Sequence, residues 1–221
     1  MPVAVVANPK GGVGKTTLAT NLAGYFAAQD HVVMLGDTDR QQSSREWLAL
    51  RPDTAKPIST WEINADHIAK PPKGTTHVVL DTPAGLHGWR LTDLLKLSDH
   101  VIVPLQPSMF DILATQTFLR KLADEKPIRH GDVKLGVVGM RVDMRTRAAE
   151  QLQRFVQGLE VPILGYLRDT QNYVQLAAHG LTLWDVAASR VAKDVEQWRG
   201  ILGWLGGTPL RTVPAETSAA A

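Results

Sequence analysis

Pro9-Lys10-Gly11-Gly12-Val13-Gly14-Lys15-Thr16-Thr17 joins a short apolar run, Val3 to Ala7, to a stretch of helical character, Lys15 to Ala28. A strand that turns through glycines into a helix is where a parallel α/β sheet takes up phosphate. Backbone N–H groups not shielded by Cβ atoms can wrap the anion, and the positive end of the helix dipole favours it. Read this way, Gly11, Gly12, Val13, Gly14 and Thr17 supply the cradle, Lys15 neutralises the phosphates and the Thr16 hydroxyl ligates Mg²⁺. One detail departs from the common G-x-x-x-x-G-K-S/T pattern: Pro9 stands where its first glycine belongs, and Lys10 follows as an extra cation. A nucleoside triphosphate carries about four negative charges and Mg²⁺ cancels about two, so a second lysine has charge to meet. Spacing alone leaves two readings for Lys10. It is either a solvated surface lysine or a group that reaches the nucleotide of a facing subunit, since Lys15 already holds the position on its own chain.

Outward from this loop, short β-branched runs alternate with longer helical stretches, the pattern of a mostly parallel, twisted α/β sheet with helices on both faces. Strands are expected at Val3 to Ala7, Val32 to Gly36, His77 to Leu80, Val101 to Leu105 and Lys134 to Met140. Helices are expected at Lys15 to Ala28, Ile112 to Ala123, Arg147 to Gln157 and Val191 to Leu205. The proline-rich segment Leu50 to Gly74 reads as loops around a short helix. Residues 1–207 read as a single domain, and Thr208 to Ala221, which lack apolar periodicity, as a disordered tail.

A chain of 221 residues suits one domain better than two, and at this size a core needs no disulfide or structural metal. The absence of cysteine removes thiol nucleophiles, Cys-ligated zinc and iron–sulfur clusters. A net charge of +2, from 24 basic and 22 acidic residues, announces no nucleic-acid partner, so any basic patch must be local. With no signal-peptide pattern and no run of ~18 apolar residues, a soluble, cytoplasmic protein is expected. The seven histidines form no H-E-x-x-H motif and no serine sits in G-x-S-x-G. His179 reads as a helix C-terminal residue and most of the six tryptophans as packing.

Asp81 closes the strand His77 to Leu80 and precedes Thr82-Pro83-Ala84-Gly85. A carboxylate at that end of a parallel strand lies in the binding crevice, where it can hold Mg²⁺ directly or through water; taken alone, it can equally cap a turn or helix. The loop after it suits a switch that moves when the γ-phosphate leaves. Asp37 and Asp39 flank Thr38 after the second strand, and alternate residues of an extended segment point the same way, so both can face the crevice. One of them can orient the attacking water, because phosphoryl transfer asks for positioning and charge neutralisation more than for base chemistry.

In their order and spacing, K-G-G-V-G-K-T-T, Asp37-Thr38-Asp39 and V-V-L-D-T-P-A-G at 78–85 resemble the deviant Walker ATPases of the ParA and MinD superfamily, over residues 2 to about 205. The resemblance implies that Lys10 crosses a dimer interface to the other subunit's phosphates, with two ATP molecules held between subunits. It also implies that Asp39 is needed for hydrolysis, that Asp37 assists through the Mg²⁺ shell and that Arg141 contacts adenine. ATP is favoured over GTP because none of the four asparagines is followed by lysine, so the guanine-selecting N-K-x-D is absent. The family usually reads D-x-D-P-Q. Here Gln41 is kept but Arg40 replaces the proline, which leaves open how rigid this switch is and whether Arg40 is a surface residue or a partner contact.

Two surfaces carry alternatives. Arg141, Arg145 and Arg147 crowd one loop, with Arg168, Arg190, Lys193 and Arg199 further on. They form either a solvated face among aspartates or, as the resemblance implies, a weak patch that the ATP dimer doubles into a nonspecific double-stranded DNA site. Val191, Val195, Trp198, Leu202 and Leu205 form a stripe that either dips into a membrane, as in MinD-like proteins, or packs on the core. Without a cationic excess on its polar face, the core reading is favoured. The expected protein is a short ParA-type positioning ATPase without an N-terminal DNA-binding extension. It would dimerise on ATP, associate with the nucleoid and be reset when a ParB-like or cargo-linked adaptor stimulates hydrolysis. Lys10, Lys15 and Asp39 would be its catalytic groups, and Thr16, Asp37 and Asp81 its Mg²⁺ groups. The alternatives are a MinD-like membrane-cycling ATPase and a metabolic ligase or kinase using the same loop.

Overall fold

Among the described residues, apolar, β-branched segments form six parallel strands: β1 (Val3–Val6), β2 (Val33–Asp37), β3 (His77–Asp81), β4 (His100–Leu105), β5 (Lys134–Gly139) and β6 (Ile163–Tyr166). The computed structural model describes residues 1–61, 63 and 70–206. The expected tail, Thr208 to Ala221, lies outside them, as do residues 62 and 64–69 of the Leu50 to Gly74 segment. The strands pair in the order β2-β3-β1-β4-β5-β6.

Both faces of the sheet are covered, and the period-2 alternation of strand side chains assigns residues to them. Val3, Val5, Val78, Leu80, Val101, Val103 and Val137 pack on one face against α3 (Trp89–Leu97), α4 (Met109–Asp124) and α6 (Arg147–Gln157). Val6, Val33, Leu35, Val79, Ile102 and Val138 pack on the other against α1 (Lys15–Ala28), α2 (Ser43–Ala49), α7 (Gln171–Ala177), α8 (Ala188–Glu196) and α9 (Arg199–Trp204). A one-turn helix, α5 (Lys126–Arg129), follows α4. The short elements α2, α3, α5, α7 and β6 were not expected, because four to nine residues hold too few periods to read.

The C-terminal stripe belongs to the core: Val191, Trp198 and Leu202 are at most 2% exposed. The single helix expected over Val191 to Leu205 is instead two, α8 and α9. The Gln197 and Trp198 N–H groups donate to the Asp194 and Val195 carbonyls, a tight i→i−3 pattern that turns the chain. Among the described residues no helix is long and apolar enough to cross a membrane.

β1 lies between β3 and β4: the chain passes from β1 to β2 on one side of it and later from β3 across to β4 on the other, and this change of direction opens a crevice at the carboxyl ends of the strands. Register fills that crevice. Val6, the last residue of β1, pairs with Asp81, and Asp81 pairs with Asp37. The phosphate-loop candidate and two of the three singled-out aspartates therefore meet on one row.

Candidate nucleotide site

The loop from β1 into α1 is held from below by Asn8, which is fully buried. Its amide Nδ2 donates to the Pro104 carbonyl (2.7 Å) and the Thr115 hydroxyl (3.0 Å), and its Oδ1 accepts from the Lys10 N–H (2.8 Å). Gly12 (φ 73) and Gly14 (φ 94) take left-handed backbone that costs an L side chain about 1–2 kcal/mol. A Cβ on Gly12 would project into open space, and one on Gly14 would lie 2.7 Å from the Met140 Cε. Val13 turns inward and is 1% exposed, contributing only backbone to the cradle.

Beside this loop is a cleft of about 470 Å³, lined by Gly11, Gly12, Gly14, Lys15, Thr16 and Thr17 together with Asp39 and Arg141. Gln41, Ser43 and the Thr82–Ala84 loop complete its wall. The Lys15 Nζ folds back to donate to the Lys10 carbonyl (2.7 Å). Burial lowers its pKa, while the Asp81 and Asp39 carboxylates oppose that shift. The Thr16 hydroxyl donates to the Asp81 Oδ2 (2.7 Å), and the buried Oδ1 of the same carboxylate has no hydrogen-bond partner. Burial pushes the Asp81 pKa up to about 7; the neighbouring Asp37 and Asp39 add to the rise, and Thr16 and Lys15 resist it. An orphaned carboxylate oxygen beside a threonine hydroxyl is a hard oxygen donor set, and it fits Mg²⁺, whose remaining ligands would come from phosphate and water. The open glycine turn at the start of α1 fits the phosphates.

Asp39 lines the cleft, but Asp37 does not. The Asp37 carboxylate is 2% exposed, its Oδ1 accepts from the Asp39 N–H (2.9 Å), and its Oδ2 accepts from the N–H and hydroxyl of Ser44 (2.8 Å each). The expectation that both carboxylates face the crevice is corrected here: at the very end of β2, Asp37 turns toward the first turn of α2. Lys10 is also outside the cleft of its own chain. Its Nζ lies 3.8 Å from the Asp111 Oδ1 in the first turn of α4, and its side chain is 42% exposed. Sequence reading missed Asn8, Gln42, Ser44 and Asp111. A polar residue at the end of an apolar strand was a visible signal for Asn8; the others had none.

Arg168 Nε pairs with the Asp194 Oδ1 at 2.5 Å; Asp194 is fully buried and also accepts from the Asn172 amide. Arg168 is thus committed to neutralising a buried charge. Arg145 pairs with Asp143 (2.9 Å), and Arg147, Arg190 and Lys193 are exposed. Arg147 sits on α6 and Arg190 with Lys193 on α8, helices on opposite faces of the sheet, so the chain does not gather these groups into one patch.

A glycine-turned loop between the first strand and first helix, with a lysine, a hydroxyl and a carboxylate converging beside it, defines a phosphate-binding α/β protein of the P-loop class. Within that class, the model of the CobQ/CobB/MinD/ParA nucleotide binding domain matches residues 4–183, and the chain belongs to that family. Maintenance of carboxysome distribution protein A of Gloeobacter kilaueensis is 28% identical over 203 residues, 90% of this chain and 85% of that one. Solved structures that share the fold include the following two. A plasmid partition protein of Borrelia burgdorferi bound to AMPPNP has a TM-score of 0.66 at 16% identity, over 92% of this chain and 99% of that one. An ATP complex of a Cyanothece McdA variant has a TM-score of 0.68 at 16% identity, over 96% and 99%.

Proposed function

We propose that this protein is a ParA-type positioning ATPase: it binds ATP with Mg²⁺, dimerises around two nucleotides, holds nonspecific duplex DNA in that state and is released when a cargo-linked adaptor stimulates hydrolysis. The observation that carries this reading is the second lysine of the loop. Lys10 stands outside its own cleft on an exposed side chain, where it can meet the phosphates of a facing subunit. The carboxysome-positioning and plasmid-partition relatives support the same reading.

In this mechanism the loop N–H groups and Lys15 hold the β- and γ-phosphates. Thr16 and Asp81 would hold Mg²⁺, which when bound would neutralise negative charge on the phosphates. Asp39, on the cleft wall, orients the attacking water, and Lys10 of the facing subunit completes the charge neutralisation. Arg141 and the small hollow of about 120 Å³ beside it, which shares Gly14 and Thr17 with the main cleft, take the adenine end. Asp37 acts beneath this layer, on the backbone of Asp39 and α2. Nucleoid association in the ATP state follows from the DNA step, and the cargo is a plasmid, a chromosome region or a protein assembly.

Sizing the protein with ADP and with ATP, next to a gel shift on random duplex DNA, tests the proposal. ATP is expected to double the mass and retard the DNA, and Lys15→Ala and Lys10→Ala are each expected to abolish both effects. A shift indifferent to nucleotide, or an ATP-loaded monomer, overturns it. For the MinD-like alternative, Val191, Trp198 and Leu202 of the stripe that would dip into lipid are buried and Val195 and Leu205 pack partly buried against the same core, and sedimentation with liposomes and ATP is expected to leave the protein in the supernatant.

A further inference from the structure

Asp39, the residue to which the proposed function gives the attacking water, stands at the first corner of a four-residue turn. The Gln42 N–H donates to the Asp39 carbonyl (3.1 Å), which makes Asp39-Arg40-Gln41-Gln42 a β-turn with Arg40 at its second position. Proline suits that position because its ring fixes φ, and arginine supplies no such constraint. The Arg40 N–H has no hydrogen-bond role in the turn that a proline would cancel. Something else must hold the corner.

We infer that Gln42, together with Asp37 and Ser44, is a positioning bracket that fixes Asp39 in the cleft in place of a rigid turn residue. Gln42 takes left-handed backbone (φ 53), which is strained for a non-glycine residue, and its side chain folds back over the turn. The amide Nε2 donates to the Asp39 carbonyl (2.7 Å) and to the Asp37 carbonyl (3.0 Å), tying the corner to the end of β2. From the other side the Asp37 carboxylate straddles the turn, one oxygen on the Asp39 N–H and the other on the N–H and hydroxyl of Ser44, which is fully buried. Both backbone polar groups of Asp39 are thereby held, and its carboxylate accepts the Gln41 N–H (3.0 Å) at the cleft wall. Gln42 touches neither phosphate nor water in this scheme and acts only through Asp39.

The inference rests on the proposed role of Asp39, and the test separates the two. In the full-length protein, Gln42→Ala is expected to lower kcat for ATP hydrolysis about tenfold while KM stays within about twofold, since a small displacement of a positioning group costs rate more than binding. In the nucleotide-free protein the same variant is expected to speed amide hydrogen exchange at Gln42 and Ser44. Adding Arg40→Pro to Gln42→Ala is expected to restore both the rate and the exchange protection. Unchanged kcat and exchange in Gln42→Ala, with hydrolysis abolished in Asp39→Ala, overturn the bracket and leave the function standing. Failure of Arg40→Pro to restore either readout overturns it as well. Hydrolysis that survives Asp39→Ala instead overturns the role of Asp39.

Discussion

Single residues in this molecule are governed by what lies against them more than by their type. Asp37 and Asp39 are the same side chain two positions apart, yet one ends buried on the α2 backbone and the other on the cleft wall. His77 is a case with a measurable consequence. It stacks on His31 (centroids 3.9 Å apart) and Phe26 (4.5 Å) near the chain amino terminus, and burial, followed by the charge of His31 and of that terminus, depresses its pKa from 6.5 to about 4. Because the folded value lies below the unfolded one, the unfolded chain binds the proton more tightly. The contribution of neutral His77 is complete above about pH 6.5 and is lost as pH falls from there toward 4. In urea denaturation at pH 7.5 and 5, His77→Gln is expected to shrink the drop in midpoint seen for the parent protein. An equal drop in both would mean that this ring is not the titrating group.

At the scale of elements, two glycines decide how α9 meets the sheet. A Cβ on Gly200 in α9 would collide with the Leu164 carbonyl oxygen of β6, and one on Gly165 would come within 2.9 Å of the Gln197 carbonyl oxygen. Helix and strand backbones are in direct contact there, which is why Trp198, Ile201 and Leu202 sink fully into the core. Gly203, one turn along the same helix, has nothing within 4 Å of its Cβ position. Gly200→Ala is therefore expected to destabilise by about 1–3 kcal/mol through overpacking. Gly203→Ala is expected to stabilise by up to about 1 kcal/mol, since alanine is the better helix former and meets no obstacle. Thermal unfolding of the two variants should move in opposite directions. α2 is tied in by a different device: the Arg51 guanidinium, just past its end, forms a two-pronged pair with the buried Asp185 while lying over the Trp47 ring (5.6 Å).

For the molecule as a whole, exposed basic groups are divided between the two faces of the sheet, with Arg147 on α6 and Arg190 and Lys193 on α8. A symmetric dimer is what would bring such groups from two copies toward one duplex, and the salt dependence of binding reports how many phosphates they meet. Removing a phosphate contact lowers the slope of log K against log salt by about one. Under the proposed function, Arg190→Ala and Lys193→Ala are expected to lower that slope in the ATP state without moving the unfolding temperature. Arg168→Ala should instead cost about 1–3 kcal/mol of stability, because it strips a partner from the fully buried Asp194. A slope unaffected by both α8 variants would rule α8 out of the proposed DNA surface.

Much of this was legible in the amino-acid order alone. The alternation of valine-rich runs with helical stretches placed β1 to β5, α1, α4 and α6, because period and turn chemistry are properties of one segment and need no neighbour to be read. The glycine pattern before Lys15 marked the phosphate loop for the same reason: left-handed turns and open N–H groups are local demands. What only the tertiary structure decided were the relations between segments. The strand order that opens the crevice beside β1 was one, and the break between α8 and α9 another. The contact of Lys10 with Asp111 and the hold of Gln42 and Asp37 on the Asp39 turn were others. Each depends on which groups, distant or near in the chain, packing brings within reach of one another, and a polar residue in the linear chain carries no mark of the partner it will find.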